Sequence, residues 1–204
     1  MTAFARDGWR AHGRGVQRAF VGLLVALAVL LSGCGGDEPK AIVWDLSDSH
    51  TSRDVDWPRP DLDAVLIEPI ESVRIRLPGG EVFEAGDEVQ DIGMSRGVGG
   101  DVGRQVRIMN IDSHPRDTDE AHALGVRWAR QLGVPTGPLD EWYEQRRADR
   151  ERGEEDAAST ALAVDSSLNL GGPNGPQPAV RILYSFEDDR PSIVSLELGW
   201  PAAA

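Results

Sequence analysis

Cysteine is almost absent from this 204-residue chain: Cys34 stands alone. No disulfide can form within the chain, so any fold must be held by burial. Several catalytic spacings are missing as well. There is no GxSxG for a nucleophile elbow, no HExxH for a zinc-binding helix, and no acidic run with the glycine and terminal Glu of a calcium loop. The glycine-rich stretch GMSRGVGGDVG (Gly93–Gly103) contains no lysine and precedes a strand pattern. It reads as an inter-strand loop, long enough to close over a ligand, and not as a phosphate cradle. No internal repeat is present.

What is present begins with charge. Arg6, Arg10, Arg14 and Arg18 precede AFVGLLVALAVLLSG (Ala19–Gly33), which carries none. Basic start followed by apolar run is the order of a secretory signal peptide. The strongly apolar part stops at Leu31, short of the about 20 residues that a permanent span needs.

Directly behind that run stand Leu31, Ser32, Gly33 and Cys34. These four residues resemble the lipobox of bacterial lipoproteins. The resemblance implies diacylglycerol on the sulfur of Cys34, cleavage between Gly33 and Cys34, and often acylation of the new amino terminus. Elementary chemistry agrees with it, since small side chains at Ser32 and Gly33 admit an extended backbone to a peptidase cleft, and a thiolate is the natural nucleophile to accept a lipid. A single acyl chain anchors only marginally, at about 0.8 kcal/mol per buried CH₂, so two or three chains give stable attachment. No RR pair precedes the run, which points to general secretion over the twin-arginine route.

On this reading residues 1–33 are the signal peptide, 34–63 the acylated Cys34 with a polar tether, and 64–204 a single domain. Beyond residue 33 there are 171 residues, with 33 acidic and 17 basic side chains and a formal charge of −16. That length suits one domain with a genuine core. That charge argues against nucleic acid as a partner and against attraction to anionic headgroups, leaving the lipid to hold the protein at the membrane. GGDEPK (Gly35–Lys40) has the composition of a flexible spacer. The stretch after it is polar and contains Pro58 and Pro60, with one short strand expected at Ile42–Trp44.

The fold class expected is α+β, a mostly antiparallel sheet with a pair of helices packed on one face. Val73, Ile75 and Leu77 alternate with Arg74 and Arg76, and Leu77-Pro78-Gly79-Gly80 supplies a type II turn into a second strand at Glu81–Glu84. Another strand is expected at Gln105–Asp112. Asp117 with Glu120 has capping-box spacing, and Ala121, Leu124, Trp128 and Leu132 form a helical stripe closed by Gly133 and Pro135. Gly137-Pro138 opens a second helix, whose charged end EQRRADRERGEED mixes both signs and reads as solvated. A strand over Ala161–Leu170 precedes a terminal hairpin, in which Val180, Ile182, Tyr184 and Phe186 alternate, then Val194, Leu196, Leu198 and Trp200.

Two clusters carry side chains suited to metals. One is Asp45, Asp48, His50, Asp54 and Asp56; the other is Asp112, His114, Asp117, Asp119, Glu120 and His122. A hydrolytic zinc site needs about three ligands and an open position, so His50, His114 and His122 would have to meet. Helix capping already accounts for Asp117 and Glu120, and solvated acidic loops for most of the rest. Trp142 and Trp200 fall at core positions, whereas Trp44 and Trp57, in polar surroundings, are expected as exposed contacts. The function expected is therefore a non-catalytic binding or interaction domain, lipid-anchored on the extracytoplasmic face of the cell membrane and needing no cofactor. Its partner would be an envelope protein, a wall polymer or a small ligand. The alternative is a metal-dependent envelope hydrolase using His50, His114 and His122.

Overall fold

The computed structural model describes residues 38–97, 104–153, 161–185 and 190–201. Period-two alternation sets the first sheet. Strand β3 (Ile70–Arg76) buries Val73 and Ile75 and leaves its arginines outside. In the turn that follows, the Gly80 N–H donates to the Leu77 carbonyl at 3.1 Å, and Gly79 takes φ 98° at the position where a side chain would be strained. Strand β4 (Val82–Ala85) returns antiparallel along β3. The other edge of β3 is taken by β1 (Lys40–Asp45), which runs parallel. Parallel neighbours need a long connection, and Leu46–Pro69 supplies it.

That connection carries β2 (Ala64–Ile67), which belongs to a second sheet. Its partners are β5 (Asp91–Arg96), β6 (Val106–Ser113), β7 (Leu162–Asp165), β8 (Gln177–Ser185) and β9 (Arg190–Gly199). The order is β2-β5-β6-β9-β8-β7, antiparallel at every pairing. The terminal hairpin β8–β9 sits near the middle because both strands bury a full apolar row, Val180 and Ile182 against Val194, Leu196 and Leu198.

Helix α1 (Thr118–Gln131) begins at Asp117, whose carboxylate accepts the Glu120 N–H at 2.8 Å. Glu120 does not complete the reciprocal box; it accepts from the Arg116 N–H and guanidinium. Helix α2 (Gly137–Arg152) has Pro138 in its first turn and ends at Gly153 in the left-handed conformation. Residues Ala121, Leu124, Gly125 and Trp128 turn inward. Gly125 faces Leu139 of α2 and Val180 and Ile182 of β8, which places the helix pair on one face of the six-stranded sheet. Trp128 is fully buried and meets Phe83 of β4 edge to face at 5.7 Å, worth about 0.5–1.5 kcal/mol beyond its burial. Gln131 binds the N–H and carbonyl of Glu84, so α1 touches both sheets.

The α+β class and the predominance of antiparallel pairing are as expected, with the strands divided between two sheets. The described fold, however, takes in β1 and the loop after it, residues assigned above to a polar tether. Leu46, Val55 and Trp57 of the following loop are buried, as is Trp44 of β1. Trp44 and Trp57 are thus core residues and not exposed contacts, because one strand edge and one loop suffice to bring an indole under cover even in a polar stretch. Strand β7 stops at Asp165, well before Leu170. Leu31–Cys34, residues 98–103 of the glycine-rich loop, residues 154–156 of the charged run, and Phe186 lie outside the described residues.

Candidate functional site

The sheet face away from the helices is mixed, with Leu66, Ile108 and Leu183 exposed on it among polar side chains. Alternation puts Asp91, Asn110, Asp112, Ser195, Glu197 and Arg181 on it, opposite the buried row. Arg181 grips Glu197 through both carboxylate oxygens, at 2.8 and 3.1 Å, with Asp165 at 3.7 Å. The fork geometry is the strongest form of that pair, and it holds the Arg181 guanidinium above its ordinary pKa.

A cleft of about 360 Å³ opens at one end of this face. Its origin lies in one rung of the sheet, where Ile108, Gly199 and Gln177 stand side by side on β6, β9 and β8. Gly199 has no side chain, and the nearest atom to a Cβ built there is 4.0 Å away. A gap is left between its neighbours. Arg107, Asn169, Glu197, Trp200 and Pro201 complete the walls. Asn169 comes from the loop before β8, where Gly171 (φ 70°) lies so close to Pro78 and Gly79 that a Cβ would sit 2.5 Å from Pro78. The turn of the small sheet thus braces one wall of the cleft.

The polar groups of the cleft divide into engaged and open ones. The Asn169 Nδ2 donates to the Pro173 carbonyl at 3.1 Å, and the Gln177 Nε2 to the Ser166 carbonyl at 2.7 Å. Among the described residues their side-chain oxygens accept no hydrogen bond. Glu197 is occupied by Arg181. Arg107 has no carboxylate partner among the described residues. Trp200 is buried, and its Nε1 has no acceptor. That nitrogen is shut off from the surface, so its unmet hydrogen bond is a cost of core packing, roughly 1–3 kcal/mol, and not a donor offered to the cleft.

The three histidines considered for a metal are not brought together. His50 lies in the loop after β1, stacked on Trp200, and burial lowers its pKa, with Arg107 adding to the shift and Asp54 opposing it. His114 is exposed, 3.6 Å from Asp91. His122, on α1, binds Asp140 of α2 at 2.8 Å and stacks on Tyr143. It is a helix-pairing residue, as is Tyr143, whose hydroxyl donates to Asp119 at 3.0 Å. Among the described residues no group of three or more His, Cys, Asp or Glu side chains is placed to hold a metal ion.

The acidic clusters have local work. Asp45 accepts from the N–H and hydroxyl of Ser47. Asp54 takes the Ser49 hydroxyl and both the N–H and hydroxyl of Thr51; burial pushes its pKa up, but these hydrogen bonds outweigh it and hold the carboxyl below the usual range. Such caps replace the backbone hydrogen bonds that an irregular loop lacks. Asp112 differs. It faces Asp91 directly across β5–β6 and Ser195 across β6–β9. Burial first, then the neighbouring Asp91 charge, raise its pKa, against a hydrogen bond from Ser195 and the charge of His114.

The reading from sequence passed over the cleft because its floor is a missing side chain and its walls come from three strands and a distant loop. Of the lining residues the sequence marks only Trp200, as a core position, and none carries a motif. No helix among the described residues is long and apolar enough to cross a membrane. Comparison of the chain with models of protein families, with curated proteins and with solved structures gave no match.

Proposed function

We propose that this protein is a lipoprotein of the bacterial cell envelope, anchored through lipid on Cys34, whose α+β domain binds a small polar ligand at the extracytoplasmic face without catalysing a reaction. The observation that carries the anchor is the placing of Leu31-Ser32-Gly33-Cys34 behind four arginines and an uncharged run. The observation that supports binding is the cleft over Gly199, lined by the polar side chains of Arg107, Asn169, Gln177 and Glu197, with no group of three or more His, Cys, Asp or Glu placed to hold a metal among the described residues. Its volume falls in the range of about 300–1,000 Å³ typical of ligand pockets. The hydrolase alternative requires three histidines at one point, and each is held by a different partner.

The two halves of this reading are tested separately. Mass spectrometry of the natively produced protein is expected to show an acylated Cys34 at the amino terminus, and Cys34→Ala to release the protein from membranes. An unmodified Cys34 with the leader intact would end the anchor. Titration of the ¹⁵N-labelled protein with soluble cell-wall fragments is expected to move resonances of Arg107, Asn169 and Gly199. Fragments and extracted envelope metabolites that move none of them would end the cleft as a binding site.

A further inference from the structure

Resting on that reading, we propose that the cleft over Gly199 takes an uncharged saccharide, held through its hydroxyl groups. Charge favours neither sign of ion. Glu197 and Asp165 share the Arg181 guanidinium, at 2.8 and 3.7 Å, and Arg107 on the cleft wall is the second cation. Two carboxylates and two guanidiniums leave the local field balanced. An anion or a cation would be stripped of water there without a counter-charge of its own.

Hydrogen bonding narrows the class further, because the walls are rich in acceptors and poor in donors. The Asn169 and Gln177 amide nitrogens are spent on the Pro173 and Ser166 carbonyls, which fixes both amides and leaves their oxygens over. Glu197 gives each carboxylate oxygen to one nitrogen of Arg181, and each can accept a second hydrogen bond. The occupant must therefore bring several donors close together and no net charge. Adjacent hydroxyls on a sugar ring do so, and each keeps its lone pairs for water. A peptide unit brings one N–H with a carbonyl that neither amide can serve. The floor supplies the other half of the fit. Ile108 is 41% exposed beside Gly199, and Pro201 is exposed at the rim. An aliphatic surface next to acceptors suits a ring with a C–H face and a hydroxyl edge. Gly199 keeps that surface open, since any side chain there would project between Ile108 and Gln177 and fill the gap.

The test uses the full-length processed protein, labelled with ¹⁵N, and the methyl glycosides of glucose, galactose, mannose and N-acetylglucosamine, each beside its 6-amino and 6-carboxylate counterparts. At least one neutral glycoside is expected to move the Asn169 and Gln177 side-chain amide resonances and the Gly199 backbone resonance to saturation, with neither charged counterpart binding more tightly. Gln177→Leu, which removes one acceptor from an exposed position, is expected to weaken that binding by about fivefold. Gly199→Val is expected to abolish it with the spectrum otherwise dispersed as before. Tighter binding of a charged counterpart, undiminished binding to Gly199→Val, or failure of every glycoside overturns the inference. If every glycoside fails while wall fragments still move the cleft resonances, the saccharide class falls and the binding site stands; if the fragments and envelope metabolites fail too, both fall.

Discussion

His50 lies against the indole of Trp200, ring centroids 5.0 Å apart and planes 12° from parallel. The contact ties the loop after β1 to the end of β9, and the His50 carbonyl also accepts the Val106 N–H of β6 at 2.8 Å. Burial depresses the His50 pKa below 6.5, Arg107 works in the same direction, and Asp54 against it. The neutral ring is the stable form in the fold, so its contribution is present above the unfolded value and is lost as pH falls through the folded one. Chemical denaturation at a series of pH values should show stability falling below about pH 6.5. His50→Phe, which keeps a flat ring on Trp200, should flatten that part of the profile; an unchanged profile would refute the assignment.

Asp112 gives the opposite sign. Its folded pKa is raised by burial and by Asp91, so the stability it contributes is present at low pH and lost as pH rises through the raised value. Asp112→Asn keeps an acceptor for Ser195 and adds a donor toward Asp91. The variant should melt higher than the parent at pH 7, with the difference disappearing below about pH 4. A lower melting temperature at pH 7 would show that the charge is held favourably.

Leu46 distinguishes a tether from a domain. It is fully buried, and its N–H donates to the Arg76 carbonyl at 2.8 Å. Leu46→Ala should cost about 2–5 kcal/mol in urea unfolding, the usual range for a large-to-small change in a core. A residue in a solvated spacer would show no measurable change.

Two glycines should respond in opposite directions. At Gly125, inside α1, a Cβ would meet Leu139, Val180 and Ile182 at 3.4–3.7 Å, ordinary contact distances. Gly125→Ala should therefore stabilise by about 0.5–1 kcal/mol, the gain expected in a helix interior. Gly171 has a positive φ, and its Cβ position lies 2.5 Å from both the carbonyl carbon and the Cβ of Pro78. Gly171→Ala should lower the melting temperature and shift the Asn169 and Gln177 resonances, because the brace between loop and turn must open.

The helices and the terminal hairpin were legible because each writes its own period. Asp117, Leu124, Trp128 and Gly133 mark α1 at start, face and end, and Val180–Leu198 alternate within one contiguous stretch. Strand β5 was not legible: DIGMSR contains a glycine and a single β-branched residue, and it becomes a strand through pairing with β2 and β6 on either side. Strand β1 was partly legible at Ile42 and Trp44, but its parallel partner lies beyond a long connection with no period of its own.

By itself, the order of residues determined the α+β class, both limits of α1 and the start of α2, the hairpins and the expectation of a lipid on Cys34, because those depend on neighbours within a few positions. Only the tertiary structure decided that residues 40–57 join the core, that His50, His114 and His122 go to separate partners, and that a cleft opens above Gly199. Each of these is a matter of which distant segments share a sheet rung or a packed face. Such partnerships are set by the burial of the whole chain at once, and no local pattern encodes them.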